Sequence, residues 1–156
     1  MKAILPRGGL IAEGAYLLPV RVYYEDTDAA GMVYYANYLK FAERARTEML
    51  RRLGIEQQRL RAETGLSFVV RRCNAEYLLP ARLDDDLVVA TRLAGLGAAT
   101  LDLDQDIRRG EETLVRLALQ IAAIGRKGRP QRLPPGLRAA LLSLNETTRM
   151  VTTHAR

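Results

Sequence analysis

Histidine is nearly absent. The only one among 156 residues is His154, in a polar terminal stretch. That excludes chemistry built on an internal imidazole: Ser-His-Asp and Cys-His nucleophiles, His-based zinc motifs and His-dependent dehydration. An enzyme with this sequence must draw its reactive group from a carboxylate, a tyrosine, a lysine or the one cysteine. That cysteine, Cys73, has no second thiol to pair with, so a reducing cytoplasm is expected. Tryptophan is missing, and phenylalanine occurs only as Phe41 and Phe68. The strands therefore lack the aromatic pattern of RNA-recognition sheets, and no nucleic-acid partner is expected. No apolar run approaches the ~20 residues of a membrane span. The opening residues offer one lysine and Ile4-Leu5 before Pro6. A signal peptide would carry an apolar stretch of about 7–15 residues there.

What is present is an ordinary globular balance, with 48% hydrophobic and 27% charged residues. The length suits one domain with its own core. The net charge is +6, and lysine is limited to Lys2, Lys40 and Lys127, so the excess is arginine. A basic surface suits an anionic partner such as a phosphorylated cofactor, or is simply a solvated face.

Residues 1–16 read as a loosely structured arm, 17–130 as the domain, and 131–156 as a short helix with a polar tail. Pro19 to Glu25 alternate, with Val20, Val22 and Tyr24 on one side, which signals a strand. After Gly31 the period becomes helical. Tyr38, Ala42, Ala45, Met49 and Leu53 share one face, widened by Leu39, Phe41 and Leu50, and Gly54 reads as the stop. Residues 55–65 form a polar connection. Four strands follow, at 67–79, 86–94, 101–107 and 113–124, consecutive enough to pair by hairpins. The order is β-α-β-β-β-β, an α+β domain whose antiparallel sheet wraps one long helix. Leu137, Ala140, Leu141 and Leu144 suggest a last short helix after Pro134-Pro135.

The chemistry-bearing stretch is YYEDTDAAGMVYYANY, residues 23–38. It joins the first strand to the helix. A helix N-terminus offers unsatisfied N–H donors and partial positive charge, which can hold a developing oxyanion. Gly31 lets a substrate approach the backbone. Asp28 lies just upstream, within reach of a carbonyl polarised by those donors. The combination suits acyl transfer without serine, histidine or metal. Taken alone, an aspartate here is most often an N-cap or turn residue, and Asp26 is of the same kind with a weaker claim.

The segment VRVYYEDTDAAGMVYYANYLKFAERARTEMLRRLG resembles the signature of hotdog-fold acyl-CoA thioesterases of the 4-hydroxybenzoyl-CoA thioesterase superfamily. Its likeness is closest to the bacterial members associated with the Tol–Pal cell-envelope system. FVVRRCNAEYLLPARLDDDL, residues 68–87, resembles the same family. The resemblance implies a single hotdog domain that hydrolyses an acyl-CoA thioester to free acid and coenzyme A. It implies Asp28 as nucleophile or general base, the Tyr35 backbone N–H as the carbonyl's donor, and Tyr24 lining the site. Gly31, Val33, Tyr34, Arg71 and Arg82 are then expected to contact substrate. No metal or cofactor is implied, because coenzyme A arrives as part of the substrate. A homodimer or homotetramer is implied, with the site between protomers. The Tol–Pal relatives often carry histidine where this chain has Tyr35, so that side chain cannot act as an imidazole base here.

Other candidates are weaker. Glu43 sits on the helix, where some hotdog enzymes place a catalytic glutamate. Cys73 falls on an apolar strand face and reads as a buried thiol. Asp84-Asp85-Asp86 lacks the alternating spacing of a metal loop. Arg71, Arg72, Arg82, Arg126, Lys127 and Arg129 are candidates for coenzyme A phosphates, and Arg71 interrupts an otherwise apolar face. The alternative function is a non-catalytic scaffold for acyl thioesters or for proteins of envelope and phospholipid synthesis, including acyl carrier protein. Asp28 would then be dispensable.

Overall fold

Apolar residues along one face of a helix dictate where the sheet must go. Tyr38, Phe41, Ala42, Ala45, Met49 and Leu50 are all buried on α1 (Asn37–Arg52). Ala42 and Ala45 let the helix lie close against the strands. Leu39, expected on that face, is exposed. Gly54, at φ +84°, follows the helix as expected, in a conformation glycine adopts without steric cost. The computed structural model describes residues 8–153, with side chains through residue 146. Residues 1–7 of the expected arm, and His154, lie outside the described residues.

The sheet has six strands: β1 (Leu10–Ala12), β2 (Ala15–Arg21), β3 (Ser67–Tyr77), β4 (Asp86–Leu96), β5 (Thr100–Arg109) and β6 (Glu112–Ile124). Their spatial order is β1-β2-β4-β5-β6-β3, antiparallel throughout. Helix α2 (Gln57–Thr64) and helix α3 (Pro135–Thr153) complete the chain. The expected α+β arrangement of sheet and long helix is present, with differences that have physical causes. The described part of the arm is ordered: residues 10–17 form a hairpin through Glu13 and Gly14, and the Gly9 N–H donates to the Tyr16 hydroxyl at 2.8 Å. The first domain strand therefore ends at Arg21, and Tyr24 starts a 3₁₀ turn (Tyr24–Asp26). The connection at 55–65 contains α2, and the terminal helix continues to Thr153.

The largest difference is the position of β3. It pairs with β6 at the far edge and makes no hairpin with β4. The loop 78–85 must then cross the ends of β6 and β5 to reach β4. A register shift between Val70 and Arg72 explains Arg71: the strand takes in one extra residue there. Phe68 and Val70 stand opposite Ala123 and Ile121, whereas Cys73, Ala75 and Tyr77 stand opposite Leu119, Leu117 and Val115. The bulge thus resets the alternation, so Arg71 belongs to neither apolar series. Cys73 is exposed, not buried as expected, because no other strand lies beyond β3 at this edge.

Candidate active site

The site segment is held by a backbone lattice. Val22 and Val33 are buried and anchor its two ends. Between them the Asp28 N–H donates to the Met32 carbonyl at 2.7 Å, and Gly31 N–H to the Asp28 carbonyl at 3.1 Å. Gly31 has φ +77°, and a β-carbon there would meet nothing within 4 Å. Its requirement is therefore conformational; an L-residue has the space but not the favoured backbone. Asp26 turns out to be a structural residue. Its carboxylate accepts the Tyr23 N–H at 2.8 Å, and its carbonyl accepts both the Tyr34 N–H (3.0 Å) and Asn37 Nδ2 (2.8 Å).

Asp28 is built differently. Its Oδ1 accepts the N–H groups of Ala30 (2.9 Å) and Met32 (3.2 Å). Its Oδ2 has no hydrogen-bond partner among the described residues, and the residue is exposed. One oxygen fixes the carboxylate and the other is left for chemistry. A short turn later, the Tyr34 carbonyl accepts the Asn37 N–H at 2.8 Å and starts α1. No acceptor takes the Tyr35 N–H among the described residues, and Ala36 provides no side-chain cap. An exposed carboxylate oxygen and a free N–H at a helix N-terminus thus share one loop.

The crossing loop 78–85 supports this arrangement from behind. Val33 N–H donates to the Ala81 carbonyl (2.9 Å), Leu83 N–H to the Gly31 carbonyl (3.2 Å), and Met32 bridges to Arg82. The Tyr38 hydroxyl accepts the Ala81 N–H at 2.9 Å. Burial pushes the Tyr38 phenol above its usual range, partly offset by that bond. The loop is clasped to β5 by Arg109, whose Nη1 donates to Asp85 Oδ2 at 2.7 Å and to the Pro80 carbonyl at 3.2 Å. Desolvation pushes the Asp85 carboxyl up. The Arg82 N–H and the Arg109 guanidinium pull it down further, and the net position is below the ordinary value. The acidic run is thereby used in pairing, since Asp86 also bonds Arg21 at 2.9 Å.

The sequence-derived candidates separate clearly. Gly31, Tyr34, Tyr35 and the backbone of Arg82 lie in or against the Asp28 loop. The side chain of Val33 is in the core, and its backbone holds the loop. Tyr24 is 84% exposed rather than packed beside Val20 and Val22. The Tyr34 and Tyr35 rings are tilted at 58° with centroids 4.8 Å apart, and a hydrogen bond with the Tyr35 phenol raises the Tyr34 phenol. Arg71 sits in the bulge of β3 and bonds nothing in the loop. Arg126 is tied to the Ala62 carbonyl, away from the loop. Arg72, Lys127 and Arg129 make no ion pair among the described residues. Glu43 is exposed at a half-open cavity between α1, α2 and β3, not beside Asp28.

Three features escaped the sequence reading. Tyr77, at the end of β3, donates its hydroxyl to the Tyr35 carbonyl at 3.2 Å. The Asp85–Arg109 clasp links residues far apart in the chain. Beneath α1, buried Gln105 accepts from Arg46 Nη1 (3.0 Å) and donates to the Ala42 carbonyl (3.0 Å) and Thr91 Oγ1 (2.9 Å). The signal for Gln105 was available: it fills a core-facing slot between Leu103 and Ile107.

Comparison with known proteins settles the family. The thioesterase superfamily model matches residues 30–116, and Asp28 lies just before its first matched position. The chain belongs to the thioesterase superfamily. Among similar members is the acyl-CoA thioester hydrolase YbgC of Escherichia coli, 47% identical over 76% of this chain and 90% of that one. The acyl-CoA thioesterase YbgC of Haemophilus influenzae is 42% identical over 82% of this chain and 95% of that one. Among solved structures, a probable thioesterase from Bartonella henselae superposes with a TM-score of 0.74 at 39% identity, over 77% of this chain and 99% of that one. The hotdog arrangement implied by the sequence resemblance is thus the fold of this superfamily member.

Proposed function

We propose that this thioesterase-superfamily protein hydrolyses acyl-CoA thioesters to a free acid and coenzyme A, with Asp28 as the reacting carboxylate. The carrying observation is the division of labour within that carboxylate: Oδ1 held by two N–H groups, Oδ2 unengaged. The thioester carbonyl would accept the Tyr35 N–H. Losing a donor in that role typically costs ~10²–10³ in rate. Asp28 then acts in one of two ways. As nucleophile it attacks the carbonyl carbon, the C–S bond breaks, coenzyme A leaves as thiolate, and water cleaves the mixed anhydride. As general base it takes a proton from water, which adds to the carbon before the thiolate is expelled. Either route yields the acid and a thiol that regains its proton. Neither route calls for a metal or redox cofactor.

The surroundings suit an acyl-CoA. Tyr23, Tyr24, Tyr34, Tyr35, Leu79 and Leu83 are exposed on the site segment and the crossing loop. They offer apolar contact to an acyl group, with Arg82 available for a phosphate. Arg71, in the bulge of the edge strand, would meet such a substrate across an assembly along β3. The free edge of β3, with exposed Val69, Val70 and Tyr77, supports assembly as a homodimer or homotetramer along that strand. Among the described residues no helix is long and apolar enough to cross a membrane, and an exposed lone thiol suits the reducing cytoplasm. The same apolar edge and the +6 charge favour a second reading, a scaffold for an acidic acyl carrier protein or for Tol–Pal-linked phospholipid-synthesis proteins.

Incubating the purified protein with short, long and aromatic acyl-CoAs separates the readings. Released coenzyme A is followed with a thiol reagent against the Cys73 background. Catalytic release from at least one class is expected. No release from any class would leave the scaffold reading.

A further inference from the structure

We infer that Tyr77 is a positioning residue for this site, holding the turn that presents the Tyr35 N–H; the inference rests on the function proposed above. The turn at residues 34–36 is weakly restrained. Ala36 begins the helix without a side-chain cap, and the Tyr35 ring is 61% exposed. From its own segment the turn receives three restraints: Tyr34 N–H to the Asp26 carbonyl, Asn37 N–H to the Tyr34 carbonyl and Leu39 N–H to the Ala36 carbonyl. Two act on Tyr34 and one on Ala36, and none holds the Tyr35 carbonyl.

Tyr77 supplies that restraint from a different element. Its hydroxyl donates to the Tyr35 carbonyl at 3.2 Å. Its ring meets the Tyr35 ring edge-on, centroids 6.2 Å apart at 85°, and lies 5.8 Å from the Tyr38 ring. Tyr38 is buried and bonded to the crossing loop through Ala81. Tyr77 is therefore wedged between a fixed aromatic and a free one, and transmits the position of the core to the turn. Burial pushes its phenol above the usual range, and neighbouring Cys73, Tyr35 and Tyr38 push it the same way, so the hydroxyl keeps its proton at neutral pH. A donor N–H misplaced by a fraction of an ångström binds the ground-state carbonyl almost as well but stabilises the oxyanion less. The effect belongs in kcat, not in KM.

The test compares wild type, Tyr77→Phe, Tyr77→Leu and Asp28→Asn on whichever acyl-CoA is hydrolysed, alongside the Ala36 amide shift in the unliganded protein. That amide shares the Tyr35 carbonyl and reports on its hydrogen bond. Tyr77→Phe keeps the ring contacts and is expected to lower kcat by roughly 3–10-fold, the equivalent of one modest hydrogen bond. KM and melting temperature should change little, and the Ala36 shift should move. Tyr77→Leu should lower kcat further. A Tyr77→Phe protein with wild-type kcat, beside an inactive Asp28→Asn, overturns the inference and leaves the function standing. Loss of melting temperature in Tyr77→Phe with kcat intact overturns it too, making Tyr77 a packing residue. If wild type hydrolyses no thioester, the proposed function fails. An unmoved Ala36 shift then refutes the positioning as well, and a moved one upholds it.

Discussion

Asp28 and Met32 exchange two hydrogen bonds: the Asp28 N–H donates to the Met32 carbonyl at 2.7 Å, and the Met32 N–H donates to Asp28 Oδ1 at 3.2 Å. The catalytic candidate is thus also part of the loop that carries it. Asparagine keeps an oxygen where Oδ1 stands, and alanine does not. Asp28→Ala should lose about 1–2 kcal/mol by leaving two N–H groups without their acceptor, whereas Asp28→Asn should stay within about 0.5 kcal/mol of wild type. Urea denaturation of both variants checks this.

The Asp85–Arg109 clasp makes loop stability depend on pH. Asp85 has a folded pKa below its unfolded value. Its contribution is therefore complete above the unfolded carboxylate pKa of ~3.9 and is lost as pH falls through the lower folded value. Asp85→Asn should be less stable than wild type by about 1–2 kcal/mol near neutrality. The gap should close in acid, below the ordinary carboxylate range. Melting temperatures of the two proteins from pH 7 downward measure it. A gap that stays constant into strong acid would contradict the role given to this pair.

Burial lowers the Arg46 pKa, and Gln105 is the only group that accepts from its guanidinium among the described residues. Removing one partner of such a pair costs more than removing both. Gln105→Leu should cost about 1–3 kcal/mol because it strands the buried guanidinium. The double variant Arg46→Met/Gln105→Leu should recover part of that loss. A double-mutant cycle on chemical denaturation reads the coupling directly.

Cys73 tests assembly along β3. The thiol is exposed in the single chain, on the face that the end of the sheet leaves open. If copies associate along this edge, a thiol reagent should modify Cys73 quickly in dilute protein and slowly in concentrated protein. Sedimentation over the same range should show the matching change in mass. Equal labelling rates at all concentrations, with a monomer throughout, would remove the edge as an interface.

How far the sequence could be read follows from which interactions are local. The helix face was legible because periodicity is local, and so was the strand at 101–107, which the structure extends by a few residues to Thr100–Arg109. The place of β3 was not legible. Whether a strand pairs with its successor or with one much later depends on the path taken by the crossing loop, and nothing in residues 67–79 encodes that. The bulge at Arg71 changes which of Phe68, Val69 and Val70 share a face with Cys73, and Cys73 itself is exposed because β3 ends the sheet, which its own residues do not encode. Asp28 was visible as a carboxylate before a helix, and the family resemblance chose it over Asp26. The hydrogen-bond pattern supplies a physical reason for that choice, since Asp26 is consumed in holding the turn. Tyr77 and Arg109 act on the site from β3 and β5, a tertiary relation without a sequence signature.

The most direct measurement is the single-turnover hydrolysis rate of Asp28→Asn against wild type on an acyl-CoA that wild type cleaves. Denaturation midpoint and oligomeric mass are measured on the same samples. The account predicts a fall of ~10²–10⁴ in rate with fold and assembly unchanged, because asparagine keeps the Oδ1 hydrogen bonds and lacks a carboxylate oxygen at Oδ2. Equal rates in the two proteins would contradict it.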